Sequence, residues 1–312
     1  MNTRNLRFRS NRVRDIISLF HEELDTLYGS GEVSVFCEML FEAYLGWDKV
    51  KLLTSKEQTI NQSDLLRFHW ALEDLKKYRP IQHIIGHTDF CECRIAVSPD
   101  VLVPRPETEE MVEWCISQFS VLRPAMQTLS TTESKLFPTG NPQFSILDLC
   151  TGSGCIAIAL KKAFPEAEVT AVDVSSKALA IAQKNAQENH TDITFLQADL
   201  LAPIFQLSPL TFQFIISNPP YIRDNERTLM QRNVLDYDPE LALFVPNDDP
   251  LCFYRAIASF ADKHLAQSGS LVVEINEALA DETCSLLREK GFKATLYTDF
   301  RGKSRWISSV KN

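Results

Sequence analysis

The chain has 312 residues, 45% of them hydrophobic and 23% charged, with 32 basic side chains against 41 acidic ones and a net charge of −9. That composition supports a buried core in one large or two ordinary domains and excludes disordered and fibrous classes. No apolar run reaches the roughly 18–20 residues of a membrane helix, and the acidic balance argues against a dedicated sequence-independent nucleic-acid binder, which needs a basic face for phosphates.

Residues 1–14 hold five arginines (Arg4, Arg7, Arg9, Arg12, Arg14) and no acid, so the rest of the chain is more acidic still. Such an arm could touch an anionic partner or imitate a transit peptide, but the plainer reading is a solvated first turn. The eight cysteines include no Cys-x-x-Cys pair and several lie in apolar stretches, the usage of a reducing, cytoplasmic setting. His83, His87, Cys91 and Cys93 fall within eleven residues, yet their spacing matches no common zinc site, and no metal is expected.

The first eighty residues read as a small helical bundle. Val13, Ile16, Ile17, Phe20, Leu24 and Leu27 follow helical spacing, with Gly29 and Gly31 as the stop. A second stripe runs Val33, Phe36, Cys37, Leu40, Phe41, Tyr44, and a third is opened by Ser63 before Leu65, Leu66 and Trp70, with Pro80 ending the bundle. Residues 81–103 look strand-like, and 120–145, rich in Ser, Thr and Pro, look like a surface loop. Strand-like runs follow at Ser145–Leu149, Glu168–Asp173, Ile193–Gln197, Phe212–Ser217, Ser270–Ile275, Ala294–Tyr297 and Arg305–Val310. Helical runs at Gly154–Ala163, Ser176–Glu188 and Leu251–His264 separate most of them. This alternation predicts an α/β, doubly wound sheet, closed by an antiparallel hairpin where no helix intervenes. The expected division is a helical domain over 1–80, a strand-containing linker over 81–105 and a catalytic domain over 106–312.

In such folds ligands bind beyond the carboxyl ends of the strands. The first strand runs into Asp148-Leu149-Cys150-Thr151-Gly152-Ser153-Gly154-Cys155. A dinucleotide site wants Gly-x-Gly-x-x-Gly, whereas here position 150 is Cys, position 157 is Ala and an acid precedes the turn. Asp148 suits a cationic ligand such as the sulfonium and ammonium of S-adenosylmethionine better than a pyrophosphate, acting on it directly or through the loop. Asp173, at the end of the second strand, can accept ribose hydroxyls. Asp199-Leu200, after the third, can accept from an adenine amino group and face its ring.

The fourth strand delivers Asn218-Pro219-Pro220-Tyr221. The prolines fix φ and remove two N–H donors, leaving carbonyls on a rigid turn. An amide or aromatic amino nitrogen is a poor nucleophile because its lone pair is delocalised. Its methylation requires both N–H groups to be held while the methyl lies in line. The Asn218 side-chain oxygen and the Pro219 carbonyl can accept those two hydrogens, and Tyr221 can pack on the planar group.

The chain resembles the release-factor glutamine N5-methyltransferases, the HemK/PrmC family. The resemblance rests on the helical N-terminal region, Pro80-Ile81-Gln82-His83-Ile84-Ile85-Gly86, Val103-Pro104-Arg105-Pro106-Glu107-Thr108-Glu109 and the two motifs above. It implies a Rossmann-like class I methyltransferase sheet with a small N-terminal helical bundle domain. It further implies S-adenosylmethionine held by Cys150, Thr151, Gly152, Ser153, Gly154, Asp173, Leu200 and Asn218, with catalysis at Asn218, Pro219, Pro220 and Tyr221. The implied substrate is the Gln of the Gly-Gly-Gln loop in class-I peptide chain release factors, docked by the helical domain, with no direct nucleic acid and no membrane. Cys150 stands where the family usually has Gly, which suggests a slightly wider turn. Val245–Pro250 replaces a glycine-richer stretch, and the 120–145 loop looks long. A DNA or RNA amino-methyltransferase (adenine N6, cytosine N4 or guanine N2) would use the same Asn218–Tyr221 turn but predicts a basic cleft. A nicotinamide-dependent oxidoreductase conflicts with position 150 and Asp148. A non-catalytic nucleotide-binding module leaves the Asn218–Tyr221 turn unexplained.

Overall fold

A computed structural model describes residues 8–133, 144–202 and 211–311. The chain forms two compact units, one of 1–86 with 231–237 and one of 87–230 with 238–312.

The first unit contains α1 (Val13–Tyr28), α2 (Ser30–Leu45), α3 (Lys49–Thr54), α4 (Gln62–Leu75) and α5 (Ile81–Ile85), joined by the later single turn α9 (Arg232–Leu235). Val13, Ile16, Phe20 and Leu24 of α1 pack with Val33, Leu40 and Phe41 of α2 and with Phe68, Leu72 and Leu75 of α4. The Phe41 and Phe68 rings sit 4.5 Å apart at its centre. Residues 231–237 are tied in by the Tyr237 hydroxyl, which donates to the Lys77 carbonyl at 2.9 Å, and by the Arg232 guanidinium over the Tyr78 ring.

Local details depart from the sequence pattern. Gly29 alone breaks α1 from α2, while Gly31 lies inside the first turn of α2. The cap of α4 is Asn61, whose side chain accepts from the Asp64 N–H at 2.8 Å, so Ser63 is already helical. On that helix Leu66 and Trp70 are exposed, and Phe68, Ala71, Leu72 and Leu75 join Leu65 in the core. Residues 81–85 form a helix, because Pro80 sets φ just before it and the Pro80 carbonyl accepts from the Ile84 N–H. The segment 81–105 therefore divides at Gly86: its first residues pack with the bundle and the remainder with the sheet unit.

The second unit opens with an antiparallel hairpin, β1 (His87–Phe90) and β2 (Cys93–Ala96), turned by Cys91 and Glu92 at positive φ. Then come α6 (Pro106–Glu133), β3 (Ser145–Leu149), α7 (Cys155–Ala163), β4 (Glu168–Asp173), α8 (Ser176–Glu188), β5 (Thr194–Gln197) and β6 (Phe212–Ser217). A two-residue pair follows, β7 (Ile222–Arg223) and β8 (Phe244–Val245), and after it α10 (Cys252–His264), β9 (Leu265–Glu274), α11 (Ala280–Glu289), β10 (Phe292–Thr298) and β11 (Ser304–Lys311). Helix α6 continues through 120–133, where a loop is expected from composition; residues 134–143 of that stretch lie outside the described residues.

The main sheet has the order β10-β11-β9-β6-β3-β4-β5. Strands β3, β4, β5, β6 and β9 run parallel, and β11 enters antiparallel between β10 and β9. One face packs on α6 and α7 through Met111, Cys115, Phe119 and Ile156. The other packs on α10 and α11 through Ile257, Ala261, Cys284 and Leu287. That is the doubly wound arrangement, and the chain order reverses between β3 and β6, where such folds open a crevice. Fully buried Asn185 on α8 fastens the hairpin to this end of the sheet: it exchanges hydrogen bonds with the backbone of Ala96 and donates to the Ser153 carbonyl.

Candidate active site

The turn between β3 and α7 is wound by three left-handed residues, Cys150 (φ 62°), Gly152 (φ 54°) and Gly154 (φ 81°). Cys150 thus takes the conformation a glycine would supply, at some steric cost. Gly154 answers a different need. A Cβ there would come within 3.0 Å of the Ala182 Cβ, so glycine permits the close approach of α7 to α8. Gly154 does not line the cavity described below.

Asp148 is completely buried and receives the Thr151 hydroxyl at 2.5 Å. Burial pushes its carboxyl up to about 7, against the opposing pull of that hydroxyl and the Ala157 N–H. It stands behind the turn, holds Thr151 and does not line the cavity described below. Asp173 holds the other side: its two oxygens accept from the Gly152 N–H at 2.8 Å and the Ser175 N–H at 2.9 Å. Burial raises its pKa while these N–H groups draw it back.

Beyond these strand ends lies a cavity of about 350 Å³, within the range of small-molecule sites. Cys150, Thr151, Gly152, Ser153, Asp173, Leu200 and Asn218 all reach it, as does Pro220; Pro219 and Tyr221 do not. Asp199 lines it too, with one oxygen taken by the Leu201 N–H. A carboxylate can accept about four hydrogen bonds, so beside the N–H groups of Gly152, Ser175 and Val174 Asp173 keeps acceptor capacity for a ligand. With Leu200 and Phe253 as apolar walls, these carboxylate acceptors suit the hydroxyls and amino group of a ribosyl-adenine ligand.

On β6, the Ser217 hydroxyl donates to the Leu149 carbonyl at 2.7 Å and fixes the start of the Asn218–Tyr221 turn against β3. The Asn218 Nδ2 donates to the Thr108 hydroxyl at 3.1 Å, and that hydroxyl donates to the Glu274 carboxylate at 2.6 Å. The Tyr221 hydroxyl donates to the other Glu274 oxygen at 3.0 Å, and the Tyr221 carbonyl accepts from Asn276. Tyr221 is therefore anchored at its far end, with its phenol pKa raised by burial and by the adjacent carboxylate. Glu274, 1% exposed, has its own pKa raised by burial, opposed by the two hydroxyls and by Arg305. Among the described residues no group of three His, Cys, Asp or Glu side chains converges as a metal site.

Two family profiles match, the PrmC N-terminal domain over 26–86 and the methyltransferase small domain over 131–236. The release factor glutamine methyltransferase of Flavobacterium psychrophilum is 40% identical over 298 residues, covering 95% of this chain and 98% of its own. That of Bacteroides thetaiotaomicron is 34% identical, over 94% and 98%. The chain belongs to the release factor glutamine methyltransferase family. Among solved structures, the hMettl16 catalytic domain, crystallised with a 3′UTR hairpin, aligns over 83% of this chain and 85% of its own. Its TM-score is 0.50 at 15% identity, a likeness of fold alone.

Within this member of the family, the Pro-Arg-Pro-Glu-Thr-Glu segment does more than its sequence discloses. Pro106 opens α6. The Arg105 guanidinium pairs with buried Asp238 at 2.5 Å, beside the cavity-lining Pro239, Leu241 and Ala242. Thr108 reaches Asn218 and Glu274, while Glu109 accepts from the Cys91 N–H and braces the hairpin. Glu274 and Asp238 escape sequence reading altogether. The one hint is a glutamate ending the apolar run Leu271-Val272-Val273, where a buried charge is costly without partners.

Proposed function

We infer that this chain transfers the methyl group of S-adenosylmethionine to the side-chain amide nitrogen of the glutamine in the Gly-Gly-Gln loop of class-I peptide chain release factors. One observation carries the chemistry. Asn218 lines the cavity with its Nδ2 committed to Thr108, and no donor among the described residues takes its Oδ1. With Nδ2 turned to Thr108, the Asn218 Oδ1 is available to a ligand as an acceptor, which a planar –NH₂ group needs.

Residues 150–153, Asp173, Asp199 and Leu200 would hold the methyl donor, which supplies an electrophilic methyl group on a positively charged sulfur. The Asn218 oxygen and the Pro219 carbonyl would each accept one amide hydrogen, fixing the plane of the carboxamide and raising electron density on nitrogen. Both groups belong to a turn whose φ angles are set by proline and whose ends are tied by Ser217 and Asn276. The contribution is thus alignment and charge stabilisation, with no side-chain nucleophile. The donor would leave as S-adenosylhomocysteine when its methyl passes to the nitrogen, and the methylated nitrogen, then strongly acidic, would lose its proton to solvent. The helical unit is the proposed dock for the release factor; substitutions on its exposed faces should raise KM for the factor and leave donor affinity unchanged.

The test is a competition: labelled donor with a release factor and nucleic acid in one mixture. Label on the factor, lost when its Gly-Gly-Gln glutamine is replaced, supports the reading. Label on nucleic acid alone would falsify it.

A further inference from the structure

Glu274 is a buried carboxylate at the carboxyl end of β9, and no Lys or Arg nitrogen among the described residues forms an ion pair with it. Its oxygens instead receive two hydroxyls, from Thr108 on α6 and from Tyr221 of the Asn218–Tyr221 turn. Thr108 lines the same cavity as Asn218, whereas Glu274 does not reach it, and neither has been given a ligand contact above. We propose that Thr108 and Glu274 are positioning residues for methyl transfer, which set the Asn218 side chain with its oxygen, rather than its nitrogen, toward the target amide. The proposal rests on the reading that Asn218 receives that amide.

The argument is one of proton direction. A carboxylate only accepts, and a threonine hydroxyl has a single proton. With that proton given to Glu274 at 2.6 Å, Thr108 has only lone pairs left for Asn218, so it can bind Nδ2 and not Oδ1. Rotating the carboxamide by half a turn would demand the same proton for Asn218 and leave Thr108 and Glu274 facing each other as two acceptors. An asparagine without this chain presents either polar atom. Turned the wrong way, its NH₂ would confront the NH₂ of the substrate. Because the hydroxyl of Tyr221 meets the other Glu274 oxygen at 3.0 Å, one carboxylate holds both ends of the four-residue turn.

The experiment measures single-turnover methyl transfer to a release factor and donor affinity by calorimetry, for wild type, Thr108→Val, Thr108→Ser, Glu274→Gln, Asn218→Ala and the double variant Asn218→Ala/Thr108→Val. Thr108→Val keeps the shape of the side chain, so the expected result is a tenfold to hundredfold slower transfer with donor affinity within twofold of wild type. Thr108→Ser, which keeps the hydroxyl, should stay within about threefold of wild type. Glu274→Gln can donate to Thr108 and so invert the chain; it should be at least as slow as Thr108→Val, and if it proves unstable the Thr108 series decides alone. In the Asn218→Ala background Thr108→Val should cost less than twofold, since there is no carboxamide left to orient. A purely structural role would cost the same in both backgrounds, and that result would overturn the proposal. An impaired Asn218→Ala beside Thr108→Val and Glu274→Gln at full speed overturns this proposal alone. Asn218→Ala at wild-type speed overturns the underlying reading as well.

Discussion

Replacing Asp173 with Asn separates ligand binding from loop support. The carboxylate is expected to bond ribose hydroxyls through acceptor capacity left over from Gly152, Ser175 and Val174. Asn keeps one oxygen and turns an NH₂ toward whichever backbone N–H it cannot serve. One charge-assisted ligand bond lost is worth about 1.5–3 kcal/mol, or roughly tenfold to a hundredfold in Kd. Leaving one backbone N–H unpaired costs about 1–3 kcal/mol of stability, reduced here because burial of the charge, which raises the Asp173 pKa, is relieved. For a unit of this size each kcal/mol moves Tm by about 2–4 °C. Calorimetric titration with S-adenosylmethionine, paired with melting curves in its absence and presence, reads both quantities. A lower Tm combined with wild-type donor affinity would mean that Asp173 supports the turn and touches no ligand.

Asn218→Ala should slow single-turnover transfer by about 10²–10³-fold while sparing donor affinity. Asn218→Asp should be nearly as slow, since a carboxylate cannot donate to Thr108; wild-type speed in Asn218→Ala would remove Asn218 from the chemistry, and wild-type speed in Asn218→Asp alone would show that any acceptor there suffices. Asp148, at about 7 in the fold against 3.8 when unperturbed, binds its proton more tightly folded than unfolded. Its contribution to stability is therefore greatest below about pH 4 and declines as pH rises toward 7, by up to about 1.4 kcal/mol per pH unit. Denaturant unfolding at pH 5 and pH 8 should show a smaller loss for Asp148→Asn than for wild type, and parallel behaviour would contradict the burial argument. Gly154→Ala should destabilise by about 1–3 kcal/mol through its contact with Ala182 and its positive φ. Ala182→Gly in the same chain should restore only the steric share in thermal melts, and full restoration would show that backbone strain is negligible.

The parts of the fold readable from sequence are those where one physical rule dominates. The strands Ser145–Leu149, Glu168–Asp173 and Phe212–Ser217 are short apolar runs with Asp148, Asp173 or Asn218 at or beside their carboxyl ends, and helix Ser176–Glu188 has a Ser cap; all four lie where the pattern puts them. The departures occur where tertiary packing overrides local signals. Trp70 is apolar yet exposed, Ile81–Ile85 is β-branched yet helical, and α6 continues past residue 120 despite its Ser, Thr and Pro content. The cavity wall was legible for residues that follow a strand end, such as Asp173 and Asn218. It was illegible for Glu274 and Asp238, whose roles depend on Thr108 and Arg105, distant partners with no fixed spacing to reveal them.

The ion pair of Arg105, just before α6, and the hydroxyl contact of Thr108 in its first turn span large sequence separations, 133 residues from Arg105 to Asp238 and 166 from Thr108 to Glu274. On a ribosome, the glycine turn, Asp173 and Asn218 all emerge before Glu274, the carboxylate that receives Thr108 and Tyr221. A nascent chain halted short of β9 carries every motif residue of the site but has nothing to set the direction of the Asn218 amide. Closing loops of that length costs only slightly more entropy than closing shorter ones, so the delay is one of synthesis order rather than stability. Commitment of the site to a single polarity would thus coincide with the entry of β9 into the sheet.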